Sequence, residues 1–213
     1  MKPYYHDEAS GITIYHGDCR EVVPTLSGID AVVTDPPYGI AGKWKGGFST
    51  AHGWGRAGQM ANKRNEWDTE PPSKETIDLM LSTGSQHIIW GGNYFQLPVS
   101  RCWLVWNKPE RGFSLAECEL AWTDFDNVAR VYDCCRSEPD RVHPTQKPLA
   151  LMSWCINKTD GSILDPFMGS GTTLVAAKLQ GRRAIGIEIE ERYCEIAAKR
   201  LAQNSLFSMG GVA

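Results

Sequence analysis

The chain has 213 residues, 42% of them hydrophobic and 22% charged, and a formal net charge of −3. That suits a single domain spanning 1–213 with a real core. No apolar run approaches the roughly 20 residues of a membrane helix, and no apolar core follows Met1, so neither a membrane span nor a secretory leader is expected. The seven cysteines are odd in number and form no C-x-x-C pair. They read as reduced thiols of a cytoplasmic protein, with no metal site.

In chain order, Ile12-Thr13-Ile14-Tyr15 alternates as a strand does, and Gly17-Asp18 ends it. Asp18 is placed to cap a helix anchored by Val22, Val23 and Leu26. Ala31-Val32-Val33 reads as a buried parallel strand. It must stop at Thr34-Asp35-Pro36-Pro37-Tyr38-Gly39, because Pro36 and Pro37 cannot donate to a sheet ladder. A carboxylate, two rigid prolines and an aromatic ring therefore stand at the C-terminal tip of a strand, the edge where open α/β sheets bind ligands. The stiff turn gathers the Asp35 carboxylate, the Asp35 and Pro36 carbonyls and the Tyr38 ring. Two acceptors and a stacking face suit a flat group with an amino substituent, such as a nucleobase.

Residues 39–72 show neither helical nor strand period. Between residues 41 and 65 lie Lys43, Lys45, Arg56, Lys63 and Arg64 and no acid, with Trp44 and Trp54 among them. A loop this long in a small domain is functional or disordered. Basic and aromatic residues together suit phosphate contact and base stacking. A mobile nucleic-acid-facing loop is expected at 39–72.

Ser73 opens a helix whose face is Ile77, Met80 and Leu81. His87-Ile88-Ile89-Trp90 and Cys102-Trp103-Leu104-Val105-Trp106 read as strands. Residues 117–122 and 128–132 read as a strand pair, one of them antiparallel to the rest. Pro148 starts a helix buried through Leu151, Met152, Cys155 and Ile156. Ile163-Leu164-Asp165 leads through Pro166-Phe167-Met168-Gly169-Ser170-Gly171 into a helix from Thr172, a nucleotide-binding βα unit in which glycine admits close ligand approach. The strand Ala184-Ile185-Gly186-Ile187 ends in Glu188, an acid about 20 residues on, the spacing at which a carboxylate reaches ribose hydroxyls. The last helix buries Tyr193, Ile196, Ala197 and Leu201, and the tail from Asn204 should fray.

Asp35-Pro36-Pro37-Tyr38 resembles the signature of the amino-group DNA methyltransferases, which act on adenine N6 or cytosine N4. Residues 163–173 resemble that family's AdoMet-binding loop, and His143-Pro144-Thr145-Gln146-Lys147-Pro148 a third family motif. Catalytic motif before cofactor motif is the permuted, β-class order. The resemblance implies a Rossmann-like fold, a mostly parallel sheet of seven strands or slightly more with helices on both faces. The Asp35 and Asp165 strands must then be neighbours. It also implies S-adenosyl-L-methionine as cofactor and double-stranded DNA as partner.

Implied cofactor contacts are Asp18, Thr145, Lys147, Asp165, Phe167, Gly169, Gly171, Thr172 and Glu188. Implied catalytic residues are Asp35, Pro36, Pro37 and Tyr38, with Asp35 and the Pro36 carbonyl accepting the target amine's N–H bonds and Tyr38 stacking on a flipped base. An ordinary ionised Asp35 would suffice. Adenine is the expected base, because cytosine-N4 enzymes more often carry Ser at the position of Asp35; cytosine N4 is the alternative. An RNA or protein-amide methyltransferase, or a catalytically inactive DNA-binding module, are more distant alternatives. Residues 107–142 are left as a minimal target-recognition region, small enough that a homodimer would help.

Overall fold

The computed structural model describes residues 1–40, 70–111, 116–135 and 146–209, with side chains of the last helix to residue 203. Its strands are β1 (Tyr5–Asp7), β2 (Ile12–His16), β3 (Ala31–Thr34), β4 (Gln86–Trp90), β5 (Trp103–Asn107), β6 (Cys118–Thr123), β7 (Arg130–Asp133), β8 (Ile163–Asp165) and β9 (Ala184–Glu188). They form one sheet in the order β1-β2-β9-β8-β3-β4-β6-β5-β7. β2, β9, β8, β3 and β4 run parallel. β6 is antiparallel to both its neighbours, β4 and β5, and β7 returns parallel to β5. The Asp35 and Asp165 strands are neighbours, with Ala31 opposite Ile163 and Val32 opposite Leu164.

The helices are α1 (Cys19–Val22), α2 (Lys74–Leu81), α3 (Leu149–Ile156), α4 (Thr172–Leu179) and α5 (Glu191–Met209). Strand alternation divides the core between two faces. Ile12, Ile14, Ala31, Val33, Ile163 and Ala184 pack with α3, α4 and α5 through Leu151, Met152, Leu174, Ala197 and Leu201. Val32, Leu164 and Ile187 point the other way, onto Cys19, Val22 and Val23, with Leu79 of α2 alongside. Near-continuous apolar strands such as Ala31–Thr34, buried at every residue, are what a parallel sheet covered on both faces requires.

Local chemistry sets the ends of the elements. Asp18 caps α1 through the Arg20 N–H, and Pro24 turns the following residues into a 3₁₀ turn, so the expected helix is short. Ser73 caps α2. His87 is a satisfied core histidine, its ring shared among Asp124 and the Met80 and Thr83 carbonyls. α5 continues to Met209 where a frayed tail is expected from Asn204. All seven cysteines are free. Among the described residues, no helix is long and apolar enough to cross a membrane.

Candidate active site

Because the central strands run parallel, their C-terminal ends share one edge, and the motifs fall along it in sheet order. Asp18 follows β2, Glu188 ends β9, the glycine turn follows β8, Asp35 follows β3 and Gly91 follows β4. The antiparallel β6 begins at this same edge, so its second residue, Glu119, arrives there too, beside Lys108 just past β5.

The half of the edge over β2, β9 and β8 carries the glycine turn and Glu188. Gly169 has φ +51, and a Cβ built on it would meet nothing within 4 Å, so open space lies over the turn. Its N–H donates to Glu188 Oε2 at 2.9 Å, and the Glu190 N–H donates to Oε1 at 2.8 Å. Burial raises the Glu188 pKa against these backbone donors. Gly171 caps α4 in the left-handed conformation, and Phe167 packs at the rim of the smaller core cluster. Thr172 accepts from Arg200 Nη1 at 3.2 Å. Asp18 is paired with Arg20, with the two Nε contacts at 3.0 Å.

Asp165, expected among the cofactor contacts, points inward and is 2% exposed. Thr34 Oγ1 donates to it at 2.7 Å, Thr173 Oγ1 at 2.5 Å and the Phe167 N–H at 3.1 Å. Burial lifts its pKa to about 6 despite these donors. Its carboxylate bolts the glycine turn to the strand that delivers Asp35, rather than lining the open space.

The half over β3, β4, β6 and β5 is a charged and aromatic pocket. Tyr38 Oη donates to Asp35 Oδ1 at 2.6 Å, and Lys147 Nζ donates to Asp35 Oδ2 at 2.5 Å. The family resemblance implies Lys147 as a cofactor contact; its ammonium lies on the Asp35 carboxylate. It also donates to Tyr38 Oη at 3.1 Å and pairs with Glu119 Oε2 at 3.0 Å. Glu119 Oε1 pairs with Lys108. The Lys147 and Lys108 side chains are each 7% exposed, against 26% for Asp35 and 23% for Glu119.

Burial raises the Asp35 pKa, and the Lys147 ammonium pulls it back. An ordinary ionised Asp35 would suffice for the chemistry, but here its ionised form depends on its partner. Burial would raise Glu119 as well, but Lys147 and Lys108 outweigh it and hold the carboxyl at about 2. Burial would lower Lys147, and Asp35 and Glu119 outweigh that in turn.

The Tyr38 ring stacks on Tyr94, centroids 5.0 Å apart and planes 17° apart, with Phe95 edge-on at 6.2 Å. Gly91 is needed here: a Cβ on it would lie 2.1 Å from Tyr38 Cε1, and its φ is +70. A Cβ on Gly39 would lie 2.4 Å from Pro71 Cδ, so the chain entering and leaving residues 41–69 meets beside Tyr38.

Lys43, Lys45, Arg56, Lys63, Arg64 and Thr145 lie outside the described residues. Of the 107–142 region, residues 107–111 and 116–135 are described; they hold the end of β5, Lys108 and strands β6 and β7 of the main sheet. Glu119, Lys108, Tyr94 and Phe95 are site residues that the sequence pattern does not single out. The one available signal is charge inside otherwise apolar strand sequence: Glu119 in Cys118-Glu119-Leu120-Ala121-Trp122 cannot be buried without a partner.

A glycine turn and a ribose-spaced acid beside an aromatic-lined carboxylate, on neighbouring parallel strands of a doubly covered sheet, define a Rossmann-like AdoMet-dependent methyltransferase. Solved structures agree with that class. The M1.HpyAVI–SAM complex superposes with a TM-score of 0.55 at 26% identity, covering 89% of this chain and 100% of that one. The cytosine-N4-specific PvuII DNA methyltransferase shares the fold with a TM-score of 0.59 at 16% identity, over 93% of this chain and 88% of its own.

The family model described as DNA methylase, N6_N4_Mtase, matches residues 61–199. Type II methyltransferase M.HinfI of Haemophilus influenzae is 45% identical over 90% of this chain and 68% of its own length. M.ScaI of Streptomyces caespitosus is 26% identical over 94% and 84%. The chain belongs to the amino-group DNA methylase family, and its cofactor is AdoMet. The open space over Gly169 and the Glu188 carboxylate beside it fit that cofactor's nucleoside.

Proposed function

We propose that the protein methylates the exocyclic N6 amine of adenine in double-stranded DNA, acting on a base rotated out of the helix. The observation that supports this reading is Asp35, a carboxylate rather than a hydroxyl at the head of the turn after β3, one strand from the glycine turn. An exocyclic amine is a poor nucleophile because its lone pair is conjugated into the ring. Asp35 and the Pro36 carbonyl accept its two N–H bonds and draw the nitrogen towards tetrahedral geometry. The same acceptors stabilise the positive charge that grows on nitrogen, a preorganised electrostatic effect.

AdoMet, when bound, supplies an electrophilic methyl group on a sulfonium centre. Glu188 and the Gly169 turn hold its nucleoside end, and Asp165 sets the spacing between that turn and Asp35 through Thr34. Tyr38 gives the flipped base a stacking face once Tyr94, which now covers it, moves aside. Stacking is worth about 1–3 kcal/mol, comparable to the few kcal/mol that extrusion costs. Residues 39–72, whose two ends meet beside Tyr38, are the proposed DNA-facing segment, with Lys43, Lys45, Arg56, Lys63 and Arg64 on phosphates.

The test is nucleoside analysis of DNA from an expressing host and from a purified reaction. N6-methyladenine is the expected product. N4-methylcytosine alone would move the assignment to the other base of the family, and an unmethylated pool would overturn the reading.

A further inference from the structure

We propose that Glu119 is a positioning residue for methyl transfer, holding the Lys147 ammonium on the Asp35 carboxylate while touching neither base nor cofactor. The inference rests on the reading of Asp35 as acceptor of the target amine's N–H bonds.

An ammonium has three N–H donors, and Lys147 has an oxygen for each: Asp35 at 2.5 Å, Tyr38 at 3.1 Å and Glu119 at 3.0 Å. Glu119 supplies the one direction that does not point back into the turn carrying Asp35 and Tyr38. It is fixed in its own right, because its other oxygen pairs with Lys108, whose Nζ lies 4.4 Å from the Trp106 ring centroid. Carboxylates and ammoniums alternate along the row Asp35, Lys147, Glu119, Lys108 and sum to zero charge.

That balance matters for the reaction. Lys147 alone on Asp35 would cancel the negative potential that a developing positive nitrogen needs. A second carboxylate on the far side of Lys147 restores it. With Glu119 neutral, Asp35, Lys147 and Lys108 leave one net positive charge where positive charge must grow. Lys147 would also exchange a charged acceptor for a neutral, weaker one and be held less firmly in its direction. The antiparallel course of β6 makes the arrangement available, since it brings the start of a strand to an edge otherwise made of strand ends.

The rival account is a buried ion pair that only ties β5, β6 and the Lys147 segment together. A double-mutant cycle on the full chain separates the two. Single-turnover methylation at saturating AdoMet and DNA is measured for wild type, Glu119→Gln, Lys147→Met and the double variant, with AdoMet calorimetry on each. Glu119→Gln should slow transfer about 10–100-fold, the range for partners that orient a functional group. Its AdoMet dissociation constant should stay within about twofold of wild type, since the glycine turn and Glu188 lie on other strands. In the Lys147→Met background the same change should cost nothing further. Glu119→Asp should recover part of the rate.

A wild-type rate in Glu119→Gln, or an undiminished loss in the Lys147→Met background, overturns the proposal. So does loss of folding or of AdoMet binding in both Glu119 variants, which would mark a structural pair. A wild-type protein that leaves DNA unmethylated fails the functional reading instead, and the same assay shows it before any variant is compared.

Discussion

The two halves of the catalytic edge are assembled in opposite ways. The cofactor half comes largely from one continuous segment, β8, the glycine turn, α4 and β9, in which Asp165, Gly169 and Glu188 are set by local spacing. The acceptor half draws Asp35 and Tyr38, Tyr94, Lys108, Glu119 and Lys147 from segments far apart in the chain. The cofactor half offers open space and a carboxylate held by backbone N–H groups. The acceptor half works with paired charges that sit only partly in water. Binding can therefore be built into a short βα unit, whereas the charge arrangement for chemistry needs the finished sheet. Buried hydrogen bonds join the two halves, Thr34 to Asp165 and Ser170 to Gln146 beside Lys147.

If the division is real, substitutions should sort by half. Asp35→Ala should have the largest effect, a loss on the order of 10²–10³ in the single-turnover rate, as for removal of one preorganised partner of the reacting group. Near wild-type turnover would break the comparison at once. Glu188→Ala should do the reverse. It removes charged hydrogen bonds of roughly 1.5–3 kcal/mol, weakening AdoMet about 10–150-fold by calorimetry, with a smaller change in rate at saturating cofactor.

Lys147→Met sharpens the comparison through pH. Burial already raises Asp35, and Lys147 does most to lower it, with the Tyr38 hydroxyl helping. Transfer needs ionised Asp35, so activity is lost as pH falls through its pKa. Without Lys147 that pKa rises further, and the acid limb of the single-turnover rate should move to higher pH. Lys147→Arg, which keeps the charge, should move it less. An unmoved limb in Lys147→Met would mean that the ammonium does not control Asp35.

Replacing Lys63 and Arg64 together by Ala should have the smallest effect on chemistry. It should weaken DNA binding similarly for all sequences and flatten the salt dependence by about one unit of slope for each phosphate no longer neutralised. Unchanged affinity and slope would place the DNA-binding surface elsewhere.

Legibility in the sequence follows the same division. Strand and helix placements are readable because buried parallel strands such as Ala31–Thr34 and amphipathic helices such as Lys74–Leu81 announce themselves over a few residues. The adjacency of β3 and β8 is readable only because two motifs have to meet. The motif gives no sign of the Lys147 contact with Asp35, because its neighbour Gln146 sits by the glycine turn: Ser170 Oγ donates to Gln146 at 3.2 Å. One residue further on, the side chain turns to Asp35. For Asp165 the motif shows that a carboxylate is required, not that it turns inward to Thr34 and Thr173. The charge of Glu119 inside an apolar strand signals that it needs a partner, but which partner is set by the position of β6 between β4 and β5, which no local pattern encodes.

The most direct test of the central claim is the AdoMet dissociation constant of Asp35→Ala, measured by calorimetry on the variant that has lost transfer. Separate halves predict a value within about twofold of wild type, since sites without shared partners act independently. A weakening of about tenfold or more would mean that Asp35 belongs to the cofactor site, and would contradict the division of binding and chemistry on which the account stands.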